Sequence, residues 1–506
     1  MSSLMEYLRG LVSSPAAAER SFEDGATSIT VIGAGLVGAL VATVLRSKGY
    51  QVRVYERYGD IRSIPSVGRS INLVATVRGL RALKSLPEEI CERLLELGTR
   101  VTGRIIHTTD GERLFQRYGK DDSEFNYSIS RYELNKFLLT EAEKAGAQIH
   151  FGAKLVDLDA SGDRCCLKFD FGDGPTTVRC EGPVLACDGG GSGVRRALGD
   201  RAGATEEKLE SGYKEMLFPK TNELEAHGLH IWPRGTHFLM ALANLDGSFT
   251  GTIYMVNDGE GATFGALEAG GVDKAAEFLE EHYGDAVALM GGAKNAAAQL
   301  VKNPRGLLGT VRTATWGFGA KLALVGDAAH AIVPFFGQGM NCGFEDVDVL
   351  CALLEAHAPP ASRTPDFATA FAKYEAARKP NANAIANMAL ENYDEMMDQT
   401  GDPEFRKRKA LENALENSEL GDRFRSRYAM VCYGGGRQPG GVQYDHAYQL
   451  GKVQWDIVCD LASGLDDPEN AAAYLDKAKA AALLDAKLAP LQQRLGVDLA
   501  TISHHA

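Results

Sequence analysis

Val31-Ile32-Gly33-Ala34-Gly35-Leu36-Val37-Gly38 stands between a short apolar strand candidate, Ser28 to Ile32, and a helical pattern that continues to Lys48. A second strand candidate, Gln51 to Tyr55, then delivers Glu56, 18 residues beyond the last glycine. Strand, glycine turn, helix, strand and acid in this order form the βαβ layout of a dinucleotide site. Gly33 permits the tight turn, Gly35 lets the backbone approach a pyrophosphate, and Gly38 lets helix and strand pack closely. The helix N-terminus offers unpaired N–H groups and a partial positive charge to phosphates. Glu56 can accept hydrogen bonds from a ribose hydroxyl.

Two further motifs narrow the cofactor. Ala186-Cys187-Asp188-Gly189 closes an apolar run that starts at Pro183, with Arg195 and Arg196 a turn or two later. Gly326-Asp327-Ala328-Ala329-His330 also follows an apolar run, Lys321 to Val325, and leads through Pro334-Phe335-Phe336-Gly337-Gln338-Gly339-Met340-Asn341 into a new helix. An acid beside glycine at a strand's C-terminal end can approach a cofactor without side-chain obstruction. Asp327 is placed to bind ribityl hydroxyls, and the backbone from Gly337 to Asn341 presents N–H groups toward the pyrimidine edge of a flavin. No second G-x-G-x-x-G follows a strand and opens a helix, since Gly259-Glu260-Gly261 lies in a polar loop without the third glycine. No second dinucleotide domain is therefore expected.

Around these motifs the chain of 506 residues is long enough for about three domain-sized units. The net charge of −13 argues against nucleic acid as a partner. Nine cysteines, Cys165 and Cys166 adjacent among them, show no paired metal spacing, which suits reduced thiols in a soluble cytoplasmic protein and no metal site. No run reaches the ~18 apolar residues of a membrane span. The first 27 residues lack a continuous apolar h-region, so no cleaved signal is expected.

The organisation predicted is α/β: a Rossmann-like dinucleotide domain at 28–205 that resumes at 306–380, an inserted antiparallel-sheet substrate domain at 206–305, and a helical C-terminal segment at 381–506 that caps the site. A helix is expected from Thr76 through Leu97, another from Arg131 to Ala145 ending at Gly146, and a parallel strand from Gln148 to Phe151. The pieces Gly212 to Phe218, Leu229 to Trp232, Phe238 to Leu242 and Ser248 to Met255 alternate and are separated by Pro233, Gly235, Asp246 and Gly247, the pattern of antiparallel strands. Helical spacing without glycine returns in the tail, Glu469 to Leu495.

The three motifs in this order resemble the fingerprints of the group A FAD-dependent aromatic hydroxylases. Further blocks are similar to one family among them, the kynurenine 3-monooxygenases: Gly68-Arg69-Ser70-Ile71-Asn72-Leu73, Tyr118-Gly119-Lys120-Asp121-Asp122-Ser123, His230-Ile231-Trp232-Pro233 and Met388-Ala389-Leu390-Glu391-Asn392-Tyr393. The likeness runs from about residue 28 to about 435. It implies noncovalently bound FAD, held by Gly33, Gly35, Leu36, Gly38, Glu56, Arg57, Arg69, Asn72, Arg131, Asp188, Gly189, Asp327, Pro334, Gly337, Gly339, Met340 and Asn341. It implies NADPH and O2 as co-substrates, a flavin C4a-hydroperoxide, and C3 hydroxylation of L-kynurenine, a step of tryptophan catabolism toward NAD biosynthesis. The substrate-carboxylate clamp falls by resemblance on Arg104, Tyr118, Asn392 and Tyr428. The ring-lining positions fall on Phe238, Met240, Leu242, Tyr254, Pro334, Phe335, Phe336 and Met396. A guanidinium for a carboxylate and an apolar slot for an aniline ring suit that substrate. No residue is nominated as an essential general base, because the cofactor carries the oxygen chemistry.

The chain departs from the family at three points. Asn126 lies where an apolar residue near the substrate ring is expected, Ala186 replaces the glycine that usually begins the second motif, and no membrane-anchoring C-terminal helix is found. Three alternatives stay open on sequence alone: a flavin hydroxylase of another aminoaromatic acid, a plain NAD-dependent dehydrogenase, and a non-catalytic binding module. The oligomeric state, monomer or homodimer, is not legible.

Overall fold

The apolar runs flanking the three glycine motifs are neighbouring strands of one parallel sheet in the computed structural model, which describes residues 27–64, 71–358, 364–396, 403–436, 441–463 and 471–502. In chain order the first elements are β1 (Ser28–Ile32), α1 (Leu36–Ser47), β2 (Gln51–Tyr55), β3 (Asn72–Ala75), α2 (Val77–Leu83), α3 (Glu88–Leu95), β4 (Gly98–Val101), β5 (Gly103–His107), β6 (Arg113–Arg117), β7 (Asn126–Ser130), α4 (Arg131–Lys144) and β8 (Gln148–His150). Next come β9 (Lys154–Asp159), β10 (Cys166–Asp170), β11 (Pro175–Arg179), β12 (Val184–Ala186), α5 (Gly193–Leu198), β13 (Ala204–Phe218), β14 (Gly228–Pro233), β15 (Phe238–Ala243) and β16 (Phe249–Val256). Then follow α6 (Phe264–Leu289), α7 (Ala293–Lys302), β17 (Gly306–Thr313), β18 (Gly317–Phe318), β19 (Leu322–Leu324), α8 (Asp327–His330) and α9 (Gly339–Ala356). The chain continues with α10 (Phe367–Asp394), α11 (Pro403–Glu416), α12 (Arg427–Tyr433) and α13 (Tyr444–Ala462), before helical turns over 477–495.

The first sheet has the order β18-β19-β12-β1-β2-β8, parallel throughout except for the short β18. Both faces are covered, with α1 against β1 and β2 and Phe169 of the antiparallel β9–β11 sheet stacked on Tyr55 of β2 at 4.4 Å, so its strands read as continuous apolar runs; all five residues of β1 are buried. Because β1, β12 and β19 are adjacent, the three glycine motifs emerge side by side at their carboxyl ends, where open α/β sheets bind ligands. Gly33 has φ +94°, and a Cβ there would lie 2.6 Å from the Cys187 carbonyl oxygen. A Cβ on Gly38 would lie 2.0 Å from the Gly33 carbonyl oxygen, so the turn and α1 close only over hydrogen.

The second sheet has seven strands in the order β17-β13-β16-β15-β14-β5-β6. It is wider than the expected 206–305: β5 and β6 come from the first part of the chain, β17 from beyond the insertion, and β14 pairs with β5 in parallel. The later part of that span is helical, not sheet. α6 and α7 lie on one face of the sheet, where Phe218, Trp232, Leu239, Ile253, Phe264 and Tyr283 share an apolar core. The predicted Thr76–Leu97 helix is broken: α2 ends at Leu83 and α3 begins after Pro87, which has no N–H for the ladder. β3, β7 and β4 form a small antiparallel sheet in the order β3-β7-β4.

On the helix side of the wide sheet, histidines are packed under α6. His230 contacts the His107 ring nitrogen at 2.9 Å, and His237 meets the Tyr283 hydroxyl at 2.6 Å. Burial lowers both His230 and His237 to about 4, helped by His107 at the first and by His282 and Arg234 at the second. A depressed native pKa favours the fold above the unfolded value near 6.5, and this contribution is lost as protons bind the unfolded chain. The expected result is a melting temperature that falls steadily between pH 6.5 and pH 4, checked by calorimetry across that range.

Candidate active site

The flavin end of the site is open where a ligand would need it. A Cβ built on Gly35 meets nothing within 4 Å, and no side chain caps α1, so its first-turn N–H groups remain for an anion. Leu36, half-buried, begins that turn. Glu56 ties the end of β2 to it: one carboxylate oxygen accepts from the Ala34 N–H at 2.7 Å and the other from the Tyr58 N–H at 2.9 Å. Asp327 stands half-buried at the start of α8 with no hydrogen bond or ion pair to its carboxylate among the described residues. Gly337, at φ +65°, turns the chain into α9, whose N-cap Gln338 makes no side-chain cap, and buried Met340 lies in its first turn after Gly339.

Two asparagines flank that turn. Asn341 accepts from the Thr76 N–H at 2.9 Å and donates to the carbonyls of Val74 and Gly337 at 2.8 and 2.9 Å, so it fixes the loop from behind. Asn72 donates to the Ala243 carbonyl at 3.1 Å and to the Asn244 side chain at 2.9 Å, while its own Oδ1 is buried without a partner. The uncapped helix start, the unengaged Asp327 and the orphaned Asn72 oxygen together fit a large polar cofactor such as FAD.

Other expected cofactor contacts stand differently. The Asp188 carboxylate accepts from the Ser192 hydroxyl at 2.6 Å and from the N–H groups of Gly193 and Val194 at 2.6 and 3.1 Å, so it caps α5. Gly189, at φ +79° with open space around its Cβ position, presents bare backbone beside it. Arg57 is exposed, its guanidinium 4.6 Å from the Tyr58 ring, and Arg131 is exposed at the start of α4. Arg69 lies outside the described residues.

Strand register gathers the candidate substrate residues on one wall. Phe238, Met240 and Leu242 project from one face of β15, and Phe238 pairs with Tyr254 of β16. Met240 pairs with Ile231 of β14, and Ile231 with Ile106 of β5, which puts Arg104, two residues before Ile106, on the same face. The other face of β15 carries Leu239 and Ala241 into the α6 core. On the wall Phe238 stacks on Tyr254 at 4.6 Å between ring centroids, and Phe335 reaches Tyr254 at 5.4 Å and Tyr393 at 4.6 Å. Met240, Phe336 and Met396 pack against this cluster, and Pro334 starts the tight turn that carries the two phenylalanines. Leu242 is buried on the same strand face.

At the edge of the slot the Arg104 guanidinium stands 5.8 Å from the Tyr118 ring centroid and 6.0 Å from that of Tyr428. The two tyrosines stack at 4.8 Å, and Asn126 donates to the Tyr428 oxygen at 3.0 Å. Burial opposes the Arg104 charge, but Tyr118, Tyr428 and Glu395 outweigh it and hold its pKa above the ordinary arginine value. Burial raises both tyrosines, so they stay protonated donors at neutral pH. Asn392 is turned elsewhere: its Nδ2 donates to the Phe335 carbonyl at 2.7 Å and holds the aromatic turn. Ile106, Ile231 and Tyr393 also reach the wall; alternation from Arg104 points to Ile106, but no local signal points to the other two.

Behind the flavin turn lies a buried ion network. Asp346 accepts from Arg378 at 2.7 Å and from the Gly326 N–H at 3.0 Å, and it meets His330. Arg378 also reaches Glu345 at 2.6 Å, and Glu345 pairs with Arg78 at 3.3 Å. His330, Cys342 and Asp346 approach one another closely enough to suggest metal ligands, but the Arg378 guanidinium already supplies the cation there, 3.3 Å from the Cys342 sulfur.

Residues 26–389 match the protein family described as FAD binding domain. The kynurenine 3-monooxygenase of Myxococcus xanthus (strain DK1622) is 39% identical over 484 residues, covering 92% of this chain and 96% of that protein. The chain belongs to the kynurenine 3-monooxygenase family. Within it, the enzyme of Stenotrophomonas maltophilia (strain K279a) is 38% identical over 450 residues, 88% of this chain and 94% of its own. The FAD expected from the three motifs is thereby borne out as the family's cofactor, as is the α/β class. Among solved structures, tetrameric 2-methyl-3-hydroxypyridine-5-carboxylic acid oxygenase aligns with TM-score 0.60 at 18% identity, over 78% of this chain and 96% of its own. PqsL of P. aeruginosa, in complex with 2-aminobenzoylacetate, aligns with TM-score 0.60 at 19% identity, over 74% of this chain and 97% of its own. These two likenesses concern the fold alone. Among the described residues, no helix is long and apolar enough to cross a membrane.

Proposed function

We propose that this member of the family hydroxylates L-kynurenine at C3, using NADPH and O2, with FAD held noncovalently at the carboxyl ends of β1, β12 and β19. The observation that carries the reading is one wall with two ends: a charged Arg104 beside two phenol donors, and an aromatic slot leading to the Pro334–Phe336 turn next to the flavin loop. Bound FAD supplies the redox chemistry, with electrons from NADPH, one oxygen atom of O2 passing to the ring and the other leaving as water. The chain's own residues bind, orient and dry the site. Arg104 takes the carboxylate, and Tyr118 and Tyr428 donate to it. Phe238, Tyr254 and Phe335 grip the aniline ring and exclude water from its edge. Asp327 and the first turns of α1 and α9 hold the cofactor, and no side chain has to move a proton.

Kynurenine-dependent NADPH oxidation coupled to 3-hydroxykynurenine formation, compared with anthranilate and tryptophan, tests this reading. Turnover of another aminoaromatic acid in preference to kynurenine would favour the second reading, which the polar Asn126 beside the clamp supports.

Two variants test the two ends separately. Tyr428→Phe is expected to weaken substrate binding by about 1.5–3 kcal/mol, the scale of one hydrogen bond to a charged group, with flavin content unchanged. A substrate titration monitored through the flavin spectrum reads this directly. Asp327→Ala is expected to weaken FAD retention by a similar ~1.5–3 kcal/mol, seen as a lowered ratio of flavin to protein absorbance after dialysis. A fully yellow Asp327→Ala protein would place the cofactor elsewhere.

A further inference from the structure

We infer that Asn126 recognises the α-ammonium group of the substrate and makes this site selective for α-amino acids over des-amino analogues. The inference deepens the kynurenine reading and rests on it. Asn126 opens β7, is fully buried, and commits its Nδ2 to the Tyr428 oxygen at 3.0 Å. Its Oδ1 is buried with no hydrogen-bond partner among the described residues. A buried carbonyl oxygen without a donor is costly, and native proteins satisfy nearly all of them. A ligand donor at this corner would supply the missing partner.

The surroundings say which donor. Asn126 shares its face of β7 with Ser128, whose hydroxyl meets Asn72 at 3.3 Å and the Ala243 carbonyl at 3.5 Å. That face therefore looks onto the end of β15 and the substrate wall. A carboxylate held by Arg104 and Tyr428 is an acceptor only, so it cannot satisfy Oδ1. The ammonium on the adjacent carbon has three donors and no acceptor, and it travels with the carboxylate to the same corner. The other acceptor facing Arg104 is the Glu395 carboxylate, 3.8 Å from a Lys409 ammonium that Glu412 holds at 3.0 Å. Asn126 thus acts twice. By donating to the Tyr428 oxygen it fixes the phenol beside Arg104, and its own carbonyl takes the ammonium. An apolar residue here would do neither.

The test uses the flavin-loaded protein and two probes, L-kynurenine and 4-(2-aminophenyl)-4-oxobutanoate, which lacks only the α-amino group. Dissociation constants come from the change in flavin absorbance on titration without NADPH. The unaltered protein is expected to prefer kynurenine by about tenfold or more, the scale of one hydrogen bond to a charged group. In Asn126→Leu that preference should fall to about one. Asn126→Asp keeps the acceptor and loses the donor, so its preference should stay at or above that of the unaltered protein; it carries the test if Asn126→Leu does not retain flavin. An equal loss for both probes in Asn126→Leu, or a preference of one in Asn126→Asp, overturns the inference and leaves the kynurenine reading standing. Binding of neither probe by the flavin-loaded parent overturns both.

Discussion

Arg104→Ala is expected to raise the KM for the substrate by on the order of a hundredfold or more while flavin content stays normal. Removing one partner of a buried, hydrogen-bonded charge pair costs about 2–5 kcal/mol, much of it from the charge left without a counterion. Here the abandoned charge is the ligand's carboxylate. It would face Tyr118 and Tyr428, two neutral donors that remain protonated because burial raises their pKa. Arg104→Lys restores the charge but not the planar fork, so its KM should fall between those of the parent and Arg104→Ala. Steady-state kinetics, with the flavin-to-protein ratio measured on the same samples, check both. Loss of flavin in Arg104→Ala, or an unchanged KM, would remove the guanidinium from the substrate pocket.

The second large effect concerns the frame of the flavin loop. Arg378→Met removes the guanidinium from Asp346 and Glu345, both buried, leaving them only His330 and Arg78, and breaking a buried pair from one side costs about 3–5 kcal/mol. Burial opposes ionisation of Asp346, yet His330 and Arg378 hold its pKa below the usual carboxylate value. A carboxylate with a depressed native pKa stabilises the fold above its unfolded value near 3.9, and that contribution disappears as the pH falls through the native pKa. The melting temperature of Arg378→Met should therefore lie well below that of the parent at pH 7, and the gap should narrow in acid. Because Asp346 also holds the Gly326 N–H, flavin retention should fall with it. Equal melting temperatures at pH 7 would show that the network carries little of the stability.

The elements nearest the glycines were legible because local chemistry decides them. β1 and β2 begin and end at the expected residues, since buried parallel strands are short apolar runs bounded by turns. α4 likewise ends at Lys144, just before Gly146, which takes φ +94°. Most of what failed was decided at a distance. Nothing between Gly103 and Arg117 announces that β5 pairs with β14, more than a hundred residues away. The first residues of β13, Thr205 to Lys208, are exposed and polar, so their alternation carries no apolar signal. Asp188 was read from its motif as a ligand group, while the free N–H groups of α5 were the nearer claimants. At the site, the residue types of the proposed clamp could be expected from the substrate's chemistry. The Asn126–Tyr428 contact could not, because it joins positions 302 residues apart.

The wide sheet draws its strands from 103–117, 204–256 and 306–313, and the outermost two groups interlock with the parallel sheet in sequence. Ligand preference in this architecture is consequently not a cassette. Transplanting the central stretch into a relative would carry Phe238 and Tyr254 but leave Arg104 behind, and a recombinant swap would succeed only when all the pieces travel together.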